Sequence, residues 1–344
     1  MTVESSDSPT VAAIYKTYEE KKEDRRNYLG ASVIGKPCHR ALWYEFRWCG
    51  REQFDGRMLR LFETGHLEEA RIIASLRGIG CEVYDRDEAG EQIGFINLSG
   101  HFRGHLDSMI LGIPEAPKTW HVGEFKTHNE KSFKALQAKG VKESKPEHYA
   151  QMQCYMHETK TTRAIYIAAN KNTSELYSER INYDEVEAES ILASARKIIE
   201  SKSPPAKIDG PSSFACKWCS HHSRCHGNPT GPSVPCDVTC RSCCHATPII
   251  DDGQSAGWHC AKHNRHLSEA DQAKACPDHI FIPDLVTFAK AIDGTDDEVM
   301  YENDSGNEIW TNGKGASDYS SVKLTQIAIS QIKKTTKAVN EIPF

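Results

Sequence analysis

The stretch HFRGHLDSMI at residues 101–110, with WHVGEFKT at 120–127, decides how this 344-residue chain folds. In a β-strand every second side chain shares a face. Arg103, His105 and Asp107 therefore fall together on the first segment, and Glu124 and Lys126 on the second, with Phe125 turned the other way. Two neighbouring strands would gather two carboxylates and one ammonium. Carboxylate oxygens bind a hard divalent cation, Mg2+ or Mn2+, and an amine beside it orients water or offsets charge, a combination suited to phosphodiester hydrolysis. A lone Glu-x-Lys pair also occurs on solvated strand faces, so the reading depends on what surrounds it.

Upstream, Leu59, Phe62, Ala70, Ile73 and Leu76 recur at helical spacing over about 57–76, and Gly78 and Gly80 stop the helix, which carries Gly65, Glu68 and Glu69. CEVYDR (81–86), EQIGFINLSG (91–100), HFRGHLDSMILG (101–112) and WHVGEFKT read as strands, most simply a meander with a proline-bearing loop before the last. A helix over about 146–158 then sets Gln151 and Tyr155 one turn apart on one face, able to reach a scissile phosphate or a base. Strands over 163–169 and 175–181 and a helix over about 184–201 complete an α/β pattern. Ser8 to about Gly30 reads as a charged helix, and Leu42, Trp43, Phe46 and Trp48 give the next segment an apolar face.

A hydrophobic content of 38% suffices for a core, and a net charge of −6 excludes a protein that coats nucleic acid by bulk electrostatics. No run approaches the roughly 18 apolar residues needed to cross a bilayer, and the first residues lack a signal peptide, so a cytoplasmic location is expected. The 13 cysteines are an odd count set partly in Cys-x-x-Cys and Cys-x-x-His pairs, which in a reducing compartment argue for metal rather than disulfides.

From Pro204 to about Pro283 the chain is too poor in apolar residues to fold without a staple. Cys216, Cys219 and Cys225 cannot close a tetrahedral thiolate site by themselves, but Cys38 from upstream would supply a fourth ligand. A second set has zinc spacing, with Cys240, Cys243, Cys260 and Cys276 favoured, His263 and His279 as alternatives, and Cys236 and Cys244 competing. Cys49, Cys81 and Cys154 are isolated among apolar or strand residues and read as core. In the tail, DGTDDE (293–298) and NDSGNE (303–308) read as solvated, and TQIAISQIKKTTKAV (325–339) as one terminal helix.

The order Gly65-x-x-x-Glu69, Gly-His-Leu-Asp107, Glu124-Phe125-Lys126 and Gln151-x-x-x-Tyr155 resembles the RecB-like branch of the PD-(D/E)XK nuclease superfamily, over about Leu59 to Ser201. The resemblance implies a restriction-endonuclease-like core, a central mixed sheet flanked by helices, and a metal-dependent DNA exonuclease of recombination, repair or phage DNA processing. It implies that Glu69 completes the metal site of Asp107 and Glu124, with His66 and Glu68 as substitutes, and that Lys126, Gln151 and Tyr155 are catalytic. The proline-containing loop between Asp107 and Glu124 departs from the pattern. The one-plus-three cysteine layout resembles the iron–sulfur nuclease domains of the AddB helicase–nuclease subunit and of CRISPR-associated RecB-like exonucleases. That implies a [4Fe-4S] cluster on Cys38, Cys216, Cys219 and Cys225, with a zinc ion on the same thiolates as the alternative.

Four parts follow: 1–56 contributing Cys38, a nuclease core over 57–228, a zinc module over 229–284 and a partly helical tail over 285–344. Lys131, Lys134, Lys139, Lys142 and Lys145, on a lysine-rich loop after the Glu-x-Lys strand, could track DNA, and Lys36 and Arg40 are weaker candidates. A helicase or an annealing protein is the expected protein partner. The competing reading is a zinc-bearing DNA-binding or assembly protein whose core does not cleave.

Overall fold

The computed structural model describes residues 8–21, 24–227, 231–251, 253, 255–303, 309–314 and 319–332. The chain forms two units: residues 1–36, 53–97 and 102–195 in the first, and 37–52, 98–101 and 196–344 in the second. This differs from the four-part scheme because the helix His39–Phe46 and the turn at 98–101 are built into the C-terminal unit rather than into their sequence neighbours.

The strands of the first unit are β1 (Leu29–Gly30), β2 (Glu82–Tyr84), β3 (Gly94–Asn97), β4 (Phe102–His105), β5 (Ser108–Leu111), β6 (His121–His128), β7 (Arg163–Asn170) and β8 (Leu176–Asn182). Its helices are α1 (Pro9–Glu19), α2 (Gly56–Gly78), α3 (Glu130–Ser144), α4 (Pro146–Thr159) and α5 (Glu185–Glu200), the last running on into the second unit. A mixed five-stranded sheet has the order β2-β5-β6-β7-β8, and a smaller one the order β1-β4-β3. The pair β6·β7 is parallel and needs a long crossover, which α3 and α4 supply. Seven of the eight residues of β7 are buried, as expected for a central strand covered on both faces. Ile72, Ile73 and Leu76 of α2 pack on Val83, Ile110, Phe125, Ile165 and Ile167, each such side chain worth about 1.5–3 kcal/mol on burial. Asp55 caps α2, its Oδ1 accepting the Met58 amide at 2.7 Å.

Three expectations need correction. Helix α1 ends at Glu19, and the described residues from Asp24 to Tyr28 are irregular. The meander is absent: β2 pairs with β5, while β3 pairs with β4 in the other sheet. HFRGHLDSMILG is not one strand, because the chain leaves the small sheet at His105 and enters the large one at Ser108. Leu106 anchors that break, fully buried and with its amide on the Ile93 carbonyl at 2.8 Å. Asp107 is thereby placed where the two sheets part.

The second unit holds the antiparallel sheets β9 (Ala246–Pro248), β10 (Trp258–Cys260), β11 (Arg265–Leu267) and β12 (Ala289–Gly294), β13 (Glu298–Asn303), β14 (Ile309–Gly313). Its core includes Leu42, Trp43 and Tyr44 of the helix His39–Phe46, together with Trp258, Phe281, Tyr301 and Trp310. Arg47 and Arg241 are both buried in it. Arg47 donates to the Ala246 carbonyl at 2.8 Å and Arg241 to the Phe46 carbonyl at 3.0 Å, and both stack on Trp258. Burial pushes their guanidinium groups down to about 10 and about 9. The terminal helix is not formed where described: Ser321–Leu324 and Ile329–Gln331 are single turns, and 333–339 lie outside the described residues. NDSGNE lies largely outside them too. No described helix is long and apolar enough to cross a membrane.

Candidate active site

Glu124 lies mid-strand in β6, opposite Tyr166 of β7, with 0% of its surface exposed. Its Oε1 is paired with the Lys126 ammonium, and Oε2 has no hydrogen-bond partner among the described residues. A carboxylate removed from water resists ionisation, and burial pushes Glu124 up to about 8. Lys126 Nζ also lies 3.8 Å from Asp107 Oδ2 and donates to the Phe125 carbonyl at 3.1 Å. Burial alone would lower this lysine, but Glu124 and Asp107 hold it above the ordinary lysine range. Asp107 Oδ2 accepts the Phe125 amide at 2.7 Å, which ties it to the strand that carries Glu124.

A cavity of about 1000 Å³ opens over this group, lined among others by Glu69, Asp107, Lys126, Gln151 and Tyr155. Burial, then Asp107, pushes Glu69 up to about 7. His66 shares the lining, whereas Glu68 pairs with Arg71 at 3.3 Å. Gln151 Nε2 donates to the Tyr155 hydroxyl at 2.8 Å, and burial followed by Glu124 keeps that hydroxyl protonated far above its usual range. Five of the six residues singled out from the sequence line this cavity, and the sixth, Glu124, contacts Lys126. The oxygens of Glu69, Asp107 and Glu124 do not all come within 4.8 Å of one another.

Arg26 and Tyr28 carried no sequence signal, yet they reach this cavity from the irregular segment after α1. The guanidiniums of Arg26 and Arg103 each lie 5.4 Å from the Tyr28 ring centre, and His105 approaches it edge-on at 6.3 Å. Phe62, 42% exposed, stands in the lining against Phe54 at 4.9 Å. Behind Glu124 runs a second unanticipated group. The Tyr166 hydroxyl contacts His128 Nε2 and His148 Nδ1, both at 2.8 Å. Burial lowers His128 to about 4 and His148 to about 3, so both imidazoles are neutral near pH 7.

The lysine-rich loop is helix α3, seated by Phe133, Leu136 and Val141. Lys134, Lys139 and Lys142 pair with Glu130, Glu143 and Asp184 at 2.7, 2.8 and 3.9 Å, and Lys145 donates to Ser132 at 2.7 Å. The cavity takes its positive charge instead from Arg26, Arg77, Arg86, Arg103, Lys126 and Lys171. Arg40 is committed to the Pro205 carbonyl at 2.8 Å.

In the second unit Cys38, Cys216, Cys219 and Cys225 line one cavity of about 30 Å³ with Ala41, Ile208 and Ala215. Burial raises the Cys225 thiol, and among the further contributions are the neighbouring Cys38 and Cys216. No three of these sulfurs converge within 4.8 Å among the described residues. Cys240 is pushed up to about 12 by burial and then by Cys243, Cys276 and Cys260, so the second quartet is gathered as well. Its closest convergence, however, joins Cys276 to His263 and Asp278. His279 is buried, its Nε2 on the Thr239 carbonyl at 2.9 Å. Cys49, Cys81 and Cys154 are buried, but Cys49 lies beside Cys236 rather than alone.

No family model and no curated protein matches this chain. Among solved structures, SSO0001 aligns at 17% identity and a TM-score of 0.39, covering 63% of this chain and 96% of that one. An alkaline exonuclease from Laribacter hongkongensis aligns at 17% identity and a TM-score of 0.37, covering 51% and 87%. A phage-related exonuclease from Haemophilus somnus 129PT aligns at 14% identity and 0.31, covering 49% and 79%. Likenesses this distant say nothing of what the present chain acts on.

Proposed function

We propose that this protein is a metal-dependent deoxyribonuclease, an exonuclease with a PD-(D/E)XK core of the RecB-like kind, acting in recombination, repair or phage DNA processing. The observation that carries the reading is the cluster of Glu124, Asp107 and Lys126: a fully buried carboxylate paired with the lysine, beside a second carboxylate, where Asp107 and Lys126 line an open cavity. Two carboxylates share one ammonium there, and a further cation would offset the remaining negative charge when both are ionised. Asp107 and Glu124 would hold Mg2+ or Mn2+, with Glu69 completing the set. Such an ion, when bound, lowers the pKa of water and offsets phosphoryl charge. Lys126, kept charged by its carboxylates, donates to the attacking water or to a non-bridging oxygen. Gln151 and Tyr155 offer a linked pair of donors to the scissile phosphate, and Arg26 and Arg103 offset the charge of flanking phosphates.

The proposal extends to the second unit. Cys38, Cys216, Cys219 and Cys225 would carry a [4Fe-4S] cluster. The support is the small cavity the four thiols share and their one-plus-three layout along the chain. Cys240, Cys243, Cys260 and Cys276 would bind zinc, with His263 as the substitute that the convergence on Cys276 favours. Thirteen cysteines, free among the described residues, suit a cytoplasmic protein. A helicase or an annealing protein is the partner class proposed. The test is incubation of purified protein with linear and circular DNA and Mg2+ or Mn2+, resolved on a gel. Loss of the linear form alone is expected, and binding without cleavage under either metal would favour the non-cleaving, DNA-binding alternative.

A further inference from the structure

Two large aromatic side chains stand exposed on the first unit, side by side. Tyr84, at the end of β2, is 49% exposed, and Trp120, just before β6, is 40% exposed. Their ring centres are 5.8 Å apart and their planes tilted by 47°. Clustered exposed aromatics mark a binding surface, since apolar area left in water forgoes stabilisation that burial would provide.

The pair lines a groove of about 1100 Å³ with Met109, Lys118, Lys160 and Thr162. Neither the Lys118 nor the Lys160 ammonium has an ion-pair partner among the described residues. Lys160 adopts φ 57°, the left-handed conformation that glycine ordinarily supplies at a helix end, so a cationic side chain stands there at a conformational cost. Acidic groups are present as well: Asp87 Oδ1 is engaged by the amides of Ala89 and Glu91, Glu88 lines the groove, and Glu82 accepts the Tyr84 hydroxyl at 3.3 Å. The near balance of charge leaves stacking as the main attraction. Arg86 lines both this groove and the catalytic cavity, and Asp85, next to Tyr84, lines the cavity too. Arg86 thus borders both the groove and the cavity where Lys126 and Asp107 stand.

We propose that Tyr84 and Trp120 form a stacking platform for unpaired bases of a DNA strand that passes over Arg86 to or from the catalytic cavity. Unpaired bases offer π faces to aromatic side chains without regard to sequence, and lysines along the path meet the backbone phosphates. The platform deepens the nuclease reading and rests on it for the identity of the strand.

The test is fluorescence anisotropy of a fluorescein-labelled 15-residue oligothymidylate with the full-length protein, in EDTA so that no cleavage intervenes. In parallel, hydrolysis of thymidine 5′-p-nitrophenyl phosphate with Mn2+ uses a substrate too short to reach the platform. Trp120→Ala and Tyr84→Ala should each weaken oligonucleotide binding about tenfold, Trp120→Phe should restore most of it, and hydrolysis of the small ester should be unchanged. Affinities equal to wild type in both alanine variants would overturn the platform. So would a Trp120→Phe variant as weak as Trp120→Ala, or tighter binding of the duplex than of the single strand. Failure of wild type to hydrolyse the ester would count against the nuclease reading alone, because the anisotropy is decided without metal.

Discussion

Replacing Glu124 with glutamine should change how stability depends on pH more than it changes stability itself. In the metal-free protein, burial raises the Glu124 carboxyl from 4.5 to about 8, so the folded chain holds its proton more tightly than the unfolded chain does. The associated stability is fully present below the unfolded value and is lost as pH rises through the folded one. At about 1.4 kcal/mol per unit, the whole interval is worth on the order of 5 kcal/mol, a large part of the stability of a typical domain. Urea midpoints followed by circular dichroism in EDTA at pH 5, 6.5, 8 and 9 should fall with pH for wild type and much less for Glu124→Gln. Glu69, raised in the same direction, gives both proteins a residual slope. Mg2+ at pH 8 should stabilise wild type and not the variant, since a ligand that binds only the folded form adds stability by mass action. Parallel curves for the two proteins would refute the claim that burial raises the Glu124 carboxyl.

Other expectations are more local. Cys216→Ser should release iron and bleach visible absorption in anaerobically purified protein, and lower its melting temperature, read by elemental analysis and calorimetry; a colourless wild type holding only zinc would end the cluster assignment. Gly140 has φ +72° within α3, and an added Cβ would lie 3.2 Å from a Glu179 oxygen, so Gly140→Ala should destabilise by at least about 1 kcal/mol in urea unfolding. Tyr155→Phe leaves the Gln151 amide without its acceptor and should cost about 1 kcal/mol while slowing DNA cleavage, which separates it from a purely structural change.

The carboxylate–lysine pair on β6, the helix bearing Glu69 and the Gln151–Tyr155 face were legible because each rests on a period shorter than ten residues. Strand partnership was not. Asp107 reaches its place through a change of sheets at Leu106, decided by the Ile93 and Phe125 contacts that no local pattern encodes. Helix α3 was hidden because its apolar positions are few, Phe133 and Leu136 standing among lysines, and Gly140 breaks its period. Arg26 and Tyr28 lie on irregular backbone, where residue spacing carries no directional information. In the C-terminal unit, cysteine spacing grouped the candidate ligands, but did not show that Cys49 would sit beside Cys236 or that Asp278 would join His263 and Cys276.

The central claim is tested most directly by digestion of end-labelled single- and double-stranded DNA with Mg2+ or Mn2+, using wild type, Asp107→Ala and Lys126→Ala at equal concentration. Wild type should shorten the labelled strands progressively from an end. Asp107→Ala should be inactive and Lys126→Ala slower by roughly 10²–10³-fold, the scale for loss of one charge-stabilising donor, with circular dichroism unchanged in both. Undiminished cleavage by both pure variants, or no cleavage by wild type with either metal, would contradict the assignment.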